Sequence, residues 1–224
     1  MVKPSGKSIK TRNASTEQKI LEAACREFVE RGISGARMQA IASRAGVNKA
    51  LLHYYFRSKE RLYEAALAHI VGRVWGSVRN NLRIPDSAAP GPRILIETVV
   101  TTILRVIQEN PDFVRVLIRE VTEGGHRLPS VISNAFVGEF GDMPPILLNA
   151  LHEAIRKKRI RPLEPIHIFI NIMGMCIASV VVQPVLKVVG PLILKQEFKF
   201  DDTYYQQRVS AITQMACDGL LTKE

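Results

Sequence analysis

Paired cysteines are missing, and that sets the first limit. Cys25, Cys176 and Cys217 lie far apart, with no C-x-x-C. Neither a disulfide framework nor a thiolate metal cluster is expected from that spacing. Cys25 and Cys176 sit in apolar helical surroundings and read as small core residues, which fits a reducing compartment. The stretch MVKPSGKSIKTRN carries basic residues with no apolar segment behind them. A secretory signal is therefore not expected, and the expected location is cytoplasmic. The longest apolar stretch, Ile166 to Val189, is interrupted by His167, Asn171, Gly174, Gln183, Pro184 and Lys187. That many polar breaks predict a helix buried in protein, between subunits for example, and no membrane partner. There is no G-x-S-x-G, no H-E-x-x-H and no phosphate loop. An enzyme is not expected, nor is a cofactor or a metal site. Alternating strand patterns, internal repeats and low-complexity blocks are also missing, so the fold class is all-α.

Positive charge is abundant and uneven. Residues 1–62 hold 13 Lys and Arg against 5 Asp and Glu, while the other 162 residues hold 18 against 16. Charge gathered at one end, and extending into predicted helices, points to a polyanion partner for that end.

Within that end, Ala36 to Phe56 reads as two short helices and a tight turn. Met38, Ile41, Ala42 and Ala45 form one apolar stripe at i, i+3, i+4 and i+7. Gly46 suits a left-handed helix end. Asn48 is a good N-cap, and Val47 with Leu52 is spaced for a hydrophobic staple. The second helix buries Leu52, Tyr55 and Phe56 and presents Lys49, Ala50, His53 and Tyr54. A short helix with a packed back and a basic, hydrogen-bonding front, held by a glycine turn, meets the needs of a helix-turn-helix.

The flanking chain supports this unit. Residues 1–14, with Lys3, Lys7, Lys10 and Arg12, read as a flexible basic arm. The box Ser15-x-x-Gln18 predicts a helix start at Ser15, with Ile20, Leu21, Ala24 and Phe28 on its apolar face and Gly32 at its end. Ser58 is placed to cap a fourth helix through Leu62, Ala65, Ala66, His69, Ile70 and Val74. That helix has no proline and no glycine before Gly72, so it should run unbroken into the larger part of the chain. Residues 83–92 are a loop by their prolines. Helices are predicted at about 93–109 and 112–123, a weaker one at 130–140, and another from about 143 to the cations Arg156, Lys157, Lys158 and Arg159, which suit a helix C-terminus. Two more are predicted at about 165–188 and 203–221, on either side of a polar loop. The division expected is a flexible arm at 1–14, a DNA-binding domain at 15–62 and a larger domain at 63–224.

Ile41-Ala42, Ala45-Gly46-Val47, Lys49, Leu52, Tyr55-Phe56, Ser58-Lys59-Glu60 and Leu62 together resemble the N-terminal domain of the TetR family of bacterial transcriptional regulators. The resemblance covers roughly residues 16–70. It implies a homodimer whose first three helices bind DNA. It also implies a fourth helix leading to a domain that binds a small molecule and dimerises through its last two long helices, here about 165–188 and 203–221. Those two are too apolar to face solvent. Repression is the family's commoner mode. The chain departs from the pattern at Arg37 and Leu51, where Thr is frequent, and at His53-Tyr54, where Tyr-His is frequent. With Arg37 in that place the cap of the second helix must come from elsewhere, Ser34 being one candidate.

The DNA-facing candidates are Arg37, Gln39, Asn48, Lys49, Leu51, His53, Tyr54 and Lys59. Lys49 is placed to reach a phosphate or a guanine edge, at a helix N-terminus that itself favours phosphate. Arg37 and Gln39 reach the groove edge, and His53, one turn after Lys49, is a base reader. Tyr54 offers a hydroxyl to phosphate, Leu51 meets a thymine methyl and Lys59 clamps a phosphate. For a pocket binding a small, largely apolar effector the candidates are His69, Trp75, Arg105, Phe113, Arg119, Phe136, His167, Asn171 and Met175, with Leu104, Leu117, Glu120 and Met173 beside them. A core or ion-pair role competes for each of these. Two other readings stay open: a regulator of the same fold controlled by a protein partner, and a sequence-tolerant DNA binder without a ligand.

Overall fold

The computed structural model describes residues 6–82, 91–124, 127–139 and 143–221. These form helices α1 (Gly6–Gly35), α2 (Met38–Ala45), α3 (Lys49–Phe56), α4 (Lys59–Asn81), α5 (Pro92–Glu109), α6 (Pro111–Thr122), α7 (Leu128–Glu139), α8 (Met143–Arg156), α9 (Pro165–Val181), α10 (Gln183–Val189) and α11 (Asp202–Leu220), with a π-helical turn over Gly190–Leu194. Among the described residues there is no strand, only an isolated bridge between Ile160 and Leu221. The all-α expectation holds.

Two helix limits differ from those the sequence predicts. The first helix does not start at Ser15. It begins at Gly6, so residues 6–14 form its first turns. No proline lies between Gly6 and Ser15, and extending an existing helix adds one hydrogen bond for each residue fixed, so a cap at Ser15 is not needed. Gln18 instead donates to Glu22 at 3.3 Å, one turn on. The second difference lies at residue 182. The predicted helix 165–188 is two helices, and the chain bends by 50° between Pro165–Val181 and Gln183–Ile193. Pro184 has no N–H for the carbonyl four residues back, and its ring crowds that turn. Pro191 has the same effect inside the π-helical turn. No single helix among the described residues is long and apolar enough to cross a membrane, and the bent pair passes that test only when taken together.

Two compact units result. The first contains the described residues up to Val74 together with Asp112–Glu139, and the second contains Trp75–Pro111 and the residues from Phe140 on. Helix α4 is unbroken from Lys59 to Asn81. Helices α6 and α7, which lie past the boundary expected at residue 62, thus pack with the N-terminal helices.

The first unit closes on Ile20, Ala24, Phe28, Ile41, Leu52, Phe56, Leu62, Tyr63 and Val116, all buried. Each of the large aliphatic and phenylalanine side chains among them contributes about 1.5–3 kcal/mol by leaving water. The Phe28 and Tyr63 rings meet edge to face at 4.9 Å. The Tyr63 hydroxyl donates to Glu120 Oε1 at 2.6 Å, and the Leu128 N–H donates to Glu120 Oε2 at 3.3 Å. Burial and the Glu120 carboxylate push the Tyr63 hydroxyl well above its usual range. Arg119 Nη1 donates to the carbonyls of Phe28 and Val29 at 2.9 and 3.0 Å. These carbonyls lie just before Gly32, where φ 65 and ψ 177 interrupt the helix. A Cβ at Gly32 would also lie 3.2 Å from the Arg119 side chain, so both backbone and space favour glycine there.

In the second unit α5 packs against α9 and α11, and α8 against α9. Its core includes Val100, Leu104, Ile172, Cys176, Ile212 and Cys217. Buried Ser179 ties α9 to α11. Its carbonyl accepts from the Tyr204 hydroxyl at 2.8 Å, and Arg208 Nε donates to its Oγ at 3.0 Å. Past α10 the chain folds back tightly. A Cβ on Gly190 would lie 2.6 Å from a Phe198 ring carbon and 3.1 Å from the Gln196 carbonyl. We expect Gly190→Ala to lower stability by about 1–3 kcal/mol, the usual cost of overpacking. Urea unfolding measures this, and a midpoint at or above the wild-type value would rule it out.

Candidate nucleic-acid interface

The helix-turn-helix is assembled around one buried acid. Glu27 of α1 is 2% exposed. Its carboxylate lies 3.3 Å from Arg31 Nε and 3.6 Å from Arg44 Nη2. It also accepts the Arg37 N–H at 3.4 Å. Arg37 is the N-cap of α2, in extended conformation and with no side-chain cap. The cap expected from Ser34 is therefore supplied by Glu27, from ten residues upstream. What Ser34 gives is its carbonyl, which accepts from Lys59 Nζ at 3.3 Å. Arg44 forks onto Glu30 with two contacts of 3.1 Å. Those hydrogen bonds hold the Glu30 carboxyl below its usual range.

The turn results from local chemistry. Gly46 has φ 69 and ψ 31, left-handed as expected, and its N–H and that of Val47 return to the Ser43 and Ala42 carbonyls. Asn48 Oδ1 accepts the Leu51 N–H at 2.7 Å, capping α3. Leu52 is fully buried and Val47 packs against the same core, as a staple requires. Leu52 and Phe56 anchor the back of α3, with Tyr55 half-buried beside them.

The front of α3 is open. Lys49, Ala50 and His53 are exposed, and Tyr54 is 67% exposed. His53 Nδ1 lies 3.3 Å from the Arg57 carbonyl, one turn on. A carbonyl only accepts, so this contact puts the ring proton on Nδ1 and leaves Nε2 as the acceptor of the neutral ring. Arg37 and Gln39 are exposed on the preceding segment, and Leu51 is half-buried. Asn48 has its side-chain oxygen engaged in the cap, and Lys59 is held by Ser34. The eight DNA-facing candidates thus fall on α2, α3 and the start of α4, all within the first unit.

Composition alone does not single out Glu27, Glu30 or Arg44. One signal is available for Glu27. It stands seven residues after Ile20 and beside Phe28, an acid on the apolar face of its own helix.

The pocket candidates divide between the units. In the first, His69 is half-buried, and burial followed by the Arg73 charge lowers its pKa. Phe113 packs against the helix-turn-helix core. Arg119 and Glu120 have the partners described above, and Leu117 is half-buried. In the second, Trp75 and Met173 are half-buried, Leu104 is buried and His167 is exposed. Arg105 donates to Asn81 at 3.3 Å. The Phe136 side chain lies outside the described residues. Two candidates come together: Asn171 and Met175 line a cavity of about 330 Å³ between α9 and α11, with Leu163, Ile168, Ile172 and Met215.

A basic, exposed helix front, fixed by a left-handed glycine turn and a capped N-terminus, defines the class: a helix-turn-helix transcriptional regulator. Residues 20–66 match the pattern described as bacterial regulatory proteins, tetR family. Residues 20–66 therefore carry the N-terminal domain of the TetR family. It is 26% identical over 220 residues to the HTH-type transcriptional regulator RutR of Escherichia coli, covering 98% of this chain and 96% of that one. It is 31% identical over 137 residues to the HTH-type transcriptional repressor NicS of Pseudomonas putida, covering 59% and 61%. Among solved structures, a TetR family transcription regulator from Marinobacter aquaeolei aligns with a TM-score of 0.64 at 20% identity, covering 96% of this chain and all of that one. These relatives are regulators, not enzymes.

Replacing Glu27 by Gln keeps the shape and removes the charge facing Arg31 and Arg44. We expect Glu27→Gln to cost about 1–3 kcal/mol and to weaken duplex binding as well, because α2 is held through that carboxylate. Chemical unfolding alongside a DNA-binding isotherm checks both, and wild-type values in both would remove the assigned role.

Proposed function

We propose that this chain is a ligand-responsive transcriptional repressor that binds a two-fold operator as a homodimer and is released by a small, largely apolar effector. The DNA half of the reading is carried by one observation. From Arg31 to Lys59 there is no Asp or Glu, and of the cations in that span Arg37, Lys49, Arg57 and Lys59 have no carboxylate ion-pair partner among the described residues, whereas Arg44 is paired with Glu27 and Glu30. Lys49 at the capped start of α3 contacts phosphate or a guanine edge. His53 reads a base, Tyr54 and Lys59 bind phosphate, Arg37 and Gln39 reach the groove edge, and Leu51 meets a thymine methyl. Repression is supported by the name of the Pseudomonas putida relative. Gel shifts on the chain's own upstream region test this reading. Binding should weaken steeply with salt. Lys49→Ala should weaken every sequence, and His53→Ala should mainly relax sequence preference. Salt-insensitive binding, or equal losses for both variants at every operator variant, would count against it.

Dimerisation is supported by the outer side of α9. Ile166, Phe169 and Ile170 are 57%, 52% and 55% exposed, with Val181 at 42% further along the same helix. Large apolar side chains gathered on one helix face mark an interaction surface. We expect Ile170→Asp to give a monomer by sedimentation velocity, with two-fold operator binding lost and the fold retained. A stable dimer of that variant would move the interface elsewhere. For the effector, the cavity beside Asn171 and Met175 offers apolar walls and one amide, at the small end of ligand-site volumes. Driving the dimer from mostly bound to mostly released needs about 5.5 kcal/mol of differential affinity between its two states.

A further inference from the structure

Helix α3 ends in a turn that is costly for the residue it contains. Arg57 has φ 61 and ψ −51. The Ser58 N–H donates to the Phe56 carbonyl at 2.6 Å, closing a three-residue ring around it. A positive φ with a negative ψ inside such a ring is the strained form of the γ-turn. A Cβ makes that conformation unfavourable, and glycine would occupy it without that penalty.

Both sides of the turn are fixed. Phe56 is buried in the core. The Arg57 N–H is held by the His53 carbonyl at 2.9 Å. Ser58 Oγ accepts the Arg61 N–H at 3.2 Å at the start of α4, and Lys59 reaches back to Ser34. The surroundings therefore impose the shape of the turn, but nothing in them requires an arginine.

Nor do the described residues use the guanidinium. Arg57 is exposed and has no ion-pair or side-chain hydrogen-bond partner among them, whereas Arg31, Arg44 and Arg119 each have carboxylate or carbonyl partners. The acid nearest in sequence, Glu60, is held below its usual range by its own N–H and by Ser58, with Lys59 and Arg127 as the cations that act on it. Arg57 comes eight residues after Lys49 and four after His53, and all three are exposed. The cation thus stands at the C-terminal end of α3, on a segment without a single carboxylate.

We propose that Arg57 is a phosphate-contacting residue of the DNA interface, and that the strained turn is kept because it carries this arginine at the end of the recognition helix. The proposal rests on the DNA-binding function proposed for α3 and adds a residue to it.

The test uses the full chain and a fluorescent duplex of random sequence, since phosphate contacts act on any sequence. Wild type, Arg57→Gly and Arg57→Lys are titrated at several salt concentrations, and their melting temperatures are measured. Arg57→Gly should melt no lower than wild type, because the strain is gone, yet bind more weakly. Its plot of log affinity against log salt should be shallower by about 0.9 for each phosphate that is no longer neutralised. Arg57→Lys should keep a slope near wild type. An unchanged slope for Arg57→Gly, or an equal loss for Arg57→Lys, overturns the phosphate contact. A lower melting temperature for Arg57→Gly overturns the account of the strain. If the wild type itself shows no salt-dependent binding, the DNA-binding reading fails and this proposal fails with it.

Discussion

The Glu27 carboxylate is the interaction on which the helix-turn-helix depends. Taking a carboxylate out of water costs several kcal/mol unless its oxygens find donors. Here they find one donor, the Arg37 N–H, and two opposite charges, the Arg31 and Arg44 guanidinium groups. That N–H is the free end of α2, where negative charge is favoured by the aligned peptide dipoles. One side chain thus faces two cations, one of them shared with Glu30, and caps a helix that has no side-chain cap of its own. It fixes where α2 starts against α1, and α2 with Gly46 and Asn48 then fixes where α3 starts. The placement of α3, and with it of Lys49 and His53, is set by a group that is itself buried.

A second set of contacts holds α1 from the other side. Arg119 places a cation against the carbonyls of Phe28 and Val29 just before the helix is interrupted at Gly32. Positive charge is favoured at a helix C-terminal end for the same dipolar reason. Next to it, Glu120 bridges the Tyr63 hydroxyl and the Leu128 N–H. A displacement of α6 by more than a hydrogen bond tolerates would leave two α1 carbonyls short of a donor and the buried Glu120 short of its partners, each at about 1–3 kcal/mol. The position of α6 and the position of the helix-turn-helix are therefore linked within one unit.

What could be read from the sequence was what local chemistry decides. Gly46, Asn48, the Val47–Leu52 staple and the stripe from Met38 to Ala45 involve residues a few positions apart, so their pattern identifies their role. The cap of α2 could not be read that way, because Glu27 and Arg37 meet only once α1 and α2 have packed. Arg119 and Glu120 looked like pocket residues because they are polar groups in an apolar segment. Their partners lie about ninety and fifty-seven residues away, and no spacing rule reaches that far. The start of α1 and the break at 182 are failures of another kind. Ser15 has a good capping pattern but needs none inside a longer helix, and apolar periodicity runs through Pro184 although the backbone cannot.

The same pairings change the meaning of the net charge. Counting residues places the excess of cations in the first 62 positions, but a count cannot tell a paired cation from an open one. Glu27 and Glu30 take up Arg31 and Arg44 on the side where α1 meets α2. Lys49 and Arg57 remain on α3 and its terminal turn with no acid in the segment around them. At physiological salt, exposed charges are felt over about 8 Å, so only cations near the docking face contribute to it. The ion pairs of α1 and α2 thus remove cations from the back of the motif and leave the positive field on the front of α3. Part of that field ends on a residue whose backbone would be more comfortable as glycine.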